Sequence, residues 1–294
     1  MKKIMYAIQG GLSLVVLGLN TLFTATWLFS LAILKAAIPI DAWRKLASKG
    51  LIHLGEFWIG LNNLNLRIFS RVRWNIAGLE DLKMNDWYLV LSNHQAWSDI
   101  FVLQKTFNRK IPFLKFFLKK ELIWVPVMGL AWWALDYPFM SRHTKEFLAK
   151  HPNLKGKDLE TTKKACEKFK TLPVSIMNFV EGTRFTQAKH DKQKSPYAHL
   201  LMPKAAGIAY VLAAMGGQLH KVLNVTIVYP NQKPSMWKLF SGQISEVKVK
   251  IESLPITPKI MGDYFNDEAF RTAFQNWLNQ LWADKDLTIA QMSA

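Results

Sequence analysis

A chain of 294 residues is long enough for one large α/β domain together with an anchoring segment. Half of it is apolar, 12 residues are Trp, and 38 basic against 21 acidic residues give a formal charge of +17. That excess suits a polyanionic surface, either nucleic acid or anionic lipid, while the single cysteine, Cys166, excludes an intrachain disulfide and a paired-thiolate metal site.

Residues 4–34 carry no charge, a run of 31 flanked by Lys2, Lys3 and Lys35. A helix crosses the hydrocarbon core with about 20 residues, and the run is longer than the apolar core of a secretory signal. It therefore predicts a retained membrane anchor over residues 1–40. Because Lys and Arg prefer the cytoplasmic side, a re-entrant hairpin turning near Gly18, Asn20 and Thr21 would keep both basic flanks there; a single tilted span is the alternative. Residues 41–73 read as an amphipathic helix, with Leu46, Leu51, Leu54, Trp58, Leu61 and Leu64 at helical spacing. Nine basic and two acidic residues precede Trp74. The helix either lies in the lipid interface or docks on the core.

From residue 74 to 294, strand-like and helix-like segments alternate. Trp74–Ala77, Trp87–Ser92, Ile111–Leu118, Leu135–Met140, Val174–Val180 and Val222–Tyr229 are predicted strands, and Lys248–Leu254 a candidate edge strand. Asp99–Phe107, Asp158–Lys170, Ala205–Met215 and Glu268–Trp282 are predicted helices. The polar stretch Lys189–Ser195 reads as a surface loop, either a lid or plainly solvated. This order predicts an α/β fold: a mixed central sheet flanked by helices, behind an N-terminal membrane-anchoring helical segment.

Two constellations carry chemistry. In Asn93-His94-Gln95-Ala96-Trp97-Ser98-Asp99, a neutral imidazole can take a proton from a hydroxyl, and a carboxylate can fix its tautomer. On one continuous helix the two residues would sit about 140° apart, so they meet only if the connection folds back. Direct attack by a substrate hydroxyl, rather than passage through an acyl-enzyme, is the expected course. In Phe179-Val180-Glu181-Gly182-Thr183-Arg184, an apolar strand delivers a glycine turn followed by donors. A guanidinium matches phosphate oxygens, although a tight turn with an ion pair explains the same letters.

The order His94-x4-Asp99, then Glu181-Gly182-Thr183-Arg184, resembles the glycerolipid acyltransferase family, of which the 1-acylglycerol-3-phosphate acyltransferases of PlsC type are the best-known members, and within it the bacterial YihG-like branch. The resemblance covers nearly the whole chain. Leu135–Arg142 matches the family's second block, with Pro138 as a departure. Val225–Pro230 matches the fourth, and Lys119-Lys120-Glu121-Leu122 with Pro126 and Gly129 matches the lysine-containing stretch between the first two blocks. Val180 stands where the third block often has Pro.

The resemblance implies that His94 is the general base and Asp99 its orienting carboxylate. Glu181, Gly182, Thr183 and Arg184 would bind the acceptor phosphate, with Arg142 and Lys120 as further cations. It implies a fatty acyl donor that is a thioester of coenzyme A or acyl carrier protein, and a lysophospholipid acceptor, by default lysophosphatidic acid. No cofactor beyond that co-substrate and no metal are expected. The expected place is the bacterial inner membrane, with the catalytic domain on the cytoplasmic face against an anionic bilayer surface. A thioesterase that acylates water, or a non-catalytic lipid-binding membrane protein, would use the same features. No recognised nucleic-acid motif is present, so nucleic acid is not an expected partner.

Overall fold

A computed structural model describes residues 2–125, 127–140, 157–170 and 172–293 of the chain. Its first two elements are α1 (Lys2–Ala37) and α2 (Asp41–Phe69). α1 runs unbroken through Gly18–Thr21, so the chain does not turn there; it turns at residues 38–40. Gly10, Ser13, Leu17, Asn20, Thr24, Leu28 and Ala32 form the buried stripe of α1. The polar members of that stripe are held by α2: Ser13 Oγ donates to Asn65 Oδ1 at 2.9 Å, and Asn20 Nδ2 to Asn62 Oδ1 at 2.7 Å. Trp58 Nε1 donates to Thr21 Oγ1 at 3.1 Å. The opposite face of α1 exposes Ile4, Ile8, Leu12, Leu19, Leu22 and Trp27. α1 is long and apolar enough to cross a membrane by length and composition, and at 1.5 Å per residue it measures about 54 Å.

The remaining elements, in chain order, begin with β1 (Arg73–Ala77), β2 (Tyr88–Ser92), α3 (Ser98–Phe107), β3 (Leu114–Phe116), β4 (Leu118–Lys119), α4 (Met128–Ala134) and β5 (Phe139–Met140). They continue with α5 (Lys157–Cys166), β6 (Ser175–Phe179), α6 (Gln187–Gln193) and α7 (Ala205–Met215). Last come β7 (Lys221–Val228), α8 (Met236–Phe240), β8 (Glu246–Pro255) and α9 (Glu268–Ser293). A six-stranded sheet has the order β1-β8-β7-β2-β6-β3. All its pairs are parallel except β7 with β8, so the sheet is mixed as expected.

β2 lies at the centre and is buried on both faces, as a strand covered by helices on each side must be. Its side chains alternate between two cores. Leu89 and Leu91 join Ile176, Val222, Ile208, Leu212, Phe274 and Trp282 on the side of α7 and α9. Tyr88 and Val90 join Met177, Leu223, Val225, Val102, Phe107 and Leu66 on the side of α3 and α2.

Several expected elements take a different form. Leu135 closes α4, and only Phe139–Met140 of that segment is strand. Residues 111–118 yield the short β3 and the start of β4. β8 is not an edge strand: β1 pairs beyond it, and its alternation arises because Val247, Val249 and Ile251 face the α3-side core. Most of Lys189–Ser195 belongs to α6 rather than to a loop; Thr186 caps that helix by accepting the Lys189 N–H. α9 extends eleven residues past Trp282, to Ser293.

Candidate active site

β2 and β6 are parallel neighbours with Ser92 opposite Phe179. Two residues beyond each partner stand His94 and Glu181, so the sheet register alone brings the two motifs together. Both lie at the carboxyl edge of the sheet, where α/β proteins bind ligands. Asn93 fixes the way out of β2: its side-chain amide donates to Ile227 O at 2.9 Å and accepts the Ile227 N–H at 2.9 Å. It thus extends the β2–β7 ladder by one residue.

The chain then folds around the Asp99 carboxylate. Asp99 Oδ2 accepts the backbone N–H groups of Gln95 at 2.6 Å and Ala96 at 2.9 Å. That wrap closes the five-residue gap, and His94 Nδ1 donates to the same oxygen at 2.8 Å. Asp99 Oδ1 accepts the Tyr229 hydroxyl at 2.7 Å, and Ser98 Oγ lies 3.0 Å from the same hydroxyl. The carboxylate is fully buried, while the His94 side chain is 12% exposed. With Nδ1 given to Asp99, Nε2 carries the free lone pair, and among the described residues it has no hydrogen-bond partner. The ring is flat against Phe179, with centroids 3.8 Å apart and planes 13° from parallel.

The Glu181 turn is stitched to this loop at both backbone groups of His94. Glu181 Oε1 accepts the His94 N–H at 3.0 Å, and Phe185 N–H donates to His94 O at 2.7 Å. Glu181 Oε2 accepts the Leu201 N–H at 2.9 Å. Burial pushes the Glu181 pKa up to about 7, against the pull of the Leu201 and His94 N–H groups and of Lys285. A fully buried carboxylate with both oxygens taken by backbone donors holds a turn together; it does not touch a phosphate. The expectation that Glu181 belongs to the phosphate cradle is corrected on that ground.

Gly182 has φ +68°, the left-handed region, and a side-chain carbon there would come within 3.1 Å of Lys204 Cδ. The positive φ is what calls for glycine here, since the Lys204 side chain can move aside. Thr183 Oγ1 accepts from Lys189 Nζ at 2.7 Å, and the Arg184 guanidinium lies 5.0 Å over the Trp97 ring. Arg184 therefore sits beside the His94 loop. Lys120 opens an exposed 3-10 turn and makes no hydrogen bond or ion pair among the described residues. Arg142 lies outside the described residues.

Sequence reasoning missed four contributors. Lys204 and Lys189 add positive charge at the Gly182–Arg184 turn. Tyr229 holds Asp99 from β7's end. Lys285 lies fully buried under the sheet, where its amine donates to Val225 O at 2.5 Å. Lys285 had a legible signal: it follows Leu278, Leu281 and Trp282 and precedes Ile289 on the buried stripe of α9.

Tyr229→Phe is expected to lower turnover about three- to tenfold, because one net hydrogen bond of about 1 kcal/mol orients the carboxylate. The acceptor's KM should stay constant. Steady-state kinetics with a thioester donor check this, and wild-type turnover would mean that Asp99 needs no help from β7.

The fold and site are thus an α/β sheet with a His–Asp dyad and a cationic turn side by side at one carboxyl edge. Residues 73–229, just over half of the chain, match the family described as Acyltransferase. The chain belongs to the acyltransferase family. It is 25% identical over 183 residues to the 1-acyl-sn-glycerol-3-phosphate acyltransferase gamma of Mus musculus, covering 58% of this chain and 44% of that one. It is 26% identical over 200 residues to 1-acyl-sn-glycerol-3-phosphate acyltransferase 3 of Arabidopsis thaliana, covering 61% and 50%. The chain thus spans about half the length of the curated relatives it matches. In fold it resembles the crystal structure of the 1-acyl-sn-glycerophosphate acyltransferase PlsC from Thermotoga maritima, with a TM-score of 0.57 at 18% identity, covering 99% and 98% of the two chains.

Proposed function

We propose that this protein moves a fatty acyl group from a thioester of coenzyme A or acyl carrier protein to the sn-2 hydroxyl of lysophosphatidic acid or a related lysophospholipid, at a membrane surface. The observation that carries the reading is the His94–Asp99 dyad, with Nε2 free, locked by backbone hydrogen bonds to the turn that bears Arg184. The names of the relatives support the choice of acceptor, and the exposed apolar face of α1 supports the membrane.

In this mechanism His94 Nε2 takes the proton from the glycerol hydroxyl as its oxygen attacks the thioester carbonyl. Asp99, fixed by two N–H groups and Tyr229, stabilises the imidazolium that results. The tetrahedral intermediate collapses, the C–S bond breaks, and the imidazolium returns its proton to the departing thiolate. A thioester is already activated, so no acyl-enzyme is required. Arg184, with Lys204 beside Gly182 of the same turn, meets the acceptor phosphate, whose charge calls for more than one cation. The apolar face of α1 holds the site at the bilayer; a bacterial inner membrane with the domain on its cytoplasmic side is the corresponding location.

Arg184→Ala is the direct test. Loss of a charge-assisted contact of about 1.5–3 kcal/mol should raise KM for lysophosphatidic acid roughly 10- to 100-fold and leave that of the donor unchanged. An equal rise for both substrates would end the phosphate role. Release of free fatty acid with no acylated lipid would replace acyl transfer by hydrolysis.

A further inference from the structure

The carboxyl end of α2, the start of β1 and the outer side of α3 enclose an open groove of about 550 Å³, lined by Asn63, Leu64, Arg67, Arg71, Trp74 and Lys105. None of these residues takes part in the His94 site. Three cations share the groove, and among the described residues none of them forms an ion pair. The carboxylate beside the start of β1 is already engaged: Glu246 with Arg73 at 3.5 Å.

The crowding is not relaxed by solvent alone. Lys105 is half-buried, with its amine 5.0 Å over the Trp74 ring. Burial, and then the charge of Arg67, hold its pKa below the usual lysine value. Arg71 adopts φ +51°, a left-handed conformation unfavourable for a side-chain-bearing residue, at the bend between α2 and β1. Like charges gathered around a concave surface without a counter-ion form a site that an anion would stabilise. Beside the cations, Leu64 and Ile68 are 49% and 58% exposed, an apolar shoulder continuous with the groove.

We propose that this groove binds a phosphate-bearing anion, its oxygens shared by Arg67, Arg71 and Lys105, at a site separate from acyl transfer. A lipid headgroup and free phosphate share that chemistry. The apolar shoulder of α2 adds room for the glycerol and first methylenes of a lipid.

The test uses the full chain in a flotation assay with vesicles of phosphatidylcholine alone or mixed with phosphatidylglycerol. Arg67→Gln combined with Lys105→Gln should weaken binding to the anionic vesicles roughly 10- to 30-fold, on the basis of the usual contribution per cation near such a surface. Binding to phosphatidylcholine alone should be unchanged. A control that removes equal charge elsewhere, Lys163→Gln with Lys259→Gln, should weaken anionic binding less than about threefold. Inorganic phosphate added as competitor separates the sources: displacement of wild type at millimolar concentration assigns the site to free phosphate, and no displacement assigns it to the headgroup. Equal losses in the groove and control variants would overturn the proposal. Vesicle binding is read without acyl transfer, so the outcome stands apart from that of the Arg184 kinetics.

Discussion

His94→Ala is expected to lower acyl transfer by roughly 10²- to 10⁴-fold, the range that a positioned general base supplies, while the protein stays folded and vesicle-bound. The geometry explains why activity and stability should separate. Removing the imidazole takes one donor from Asp99 Oδ2, but the Gln95 and Ala96 N–H groups remain on that oxygen and Tyr229 on the other. The carboxylate is not orphaned, so the stability loss should be about 1 kcal/mol. The Glu181 and Phe185 contacts run through the His94 backbone and survive the substitution. Asp99→Asn sharpens the result. Its amide oxygen can replace Oδ2 beneath the three donors, and its NH2 can face Tyr229, whose hydroxyl can turn to accept. The ring and tautomer are then retained while the charge opposite the imidazolium is lost, so the rate should fall as steeply with the fold intact. Turnover of His94→Ala at more than a tenth of the wild-type rate would remove the imidazole from the chemistry.

The central strands could be read from the residues because β2, β6 and β7 are apolar runs closed by Asn93, Glu181-Gly182 and Pro230, and α7 is an apolar helix ended by Gly216. Burial on both faces leaves such segments no other place. Short elements were less visible. β4 and β5 are two residues each and, among the described residues, pair only with one another, so neither carries a periodicity of its own. α6 lacks an apolar face; it is held by the Thr186 cap and by His190 Nε2 donating to Tyr197 O at 2.7 Å. The cap is a local signal too short by itself to set a helix apart from a loop, and the His190 contact is not visible in the letters.

The same division holds at the site. His94 and Asp99 are five residues apart, and their chemistry could be read as a local motif; Gly182 marked its own turn. The partners that set the geometry come from far along the chain. Tyr229 stands 130 residues beyond Asp99, and Asn93 anchors on Ile227, 134 residues away. Glu181 misled for a related reason. Next to Arg184 it suggests a surface cluster, whereas the strand carries its side chain inward to the N–H groups of His94 and Leu201. A charged residue ending an apolar strand can face either way, and only the neighbouring loops decide which.

Lys285→Met is expected to destabilise the protein by about 1–3 kcal/mol near neutral pH, through loss of the hydrogen bonds that its amine gives inside the core. Lys285 is enclosed between α9 and β7, where its amine donates to Val225 O and Thr226 Oγ1. Burial pushes its pKa down to about 7, while Glu252 and Glu181 draw it back up. The signs determine the pH dependence. The Glu181 pKa is raised from 4.5 to about 7, so the folded state holds that proton more tightly, and stability falls as pH rises through this interval. The Lys285 pKa is lowered from 10.5 to about 7, so the unfolded state holds its proton more tightly, and stability rises with pH above about 7. In wild type the two slopes oppose one another around neutrality. Methionine deletes the rising arm and removes the cation that favours ionised Glu181, which extends the falling arm to higher pH. The melting-temperature gap between wild type and Lys285→Met should therefore be smallest near pH 5 and widen toward pH 8. Acyl transfer should fall with it, because a weakened Glu181 loosens its hold on the His94 backbone. Thermal denaturation over that pH range checks both signs, and a gap that stays constant with pH would separate Lys285 from Glu181.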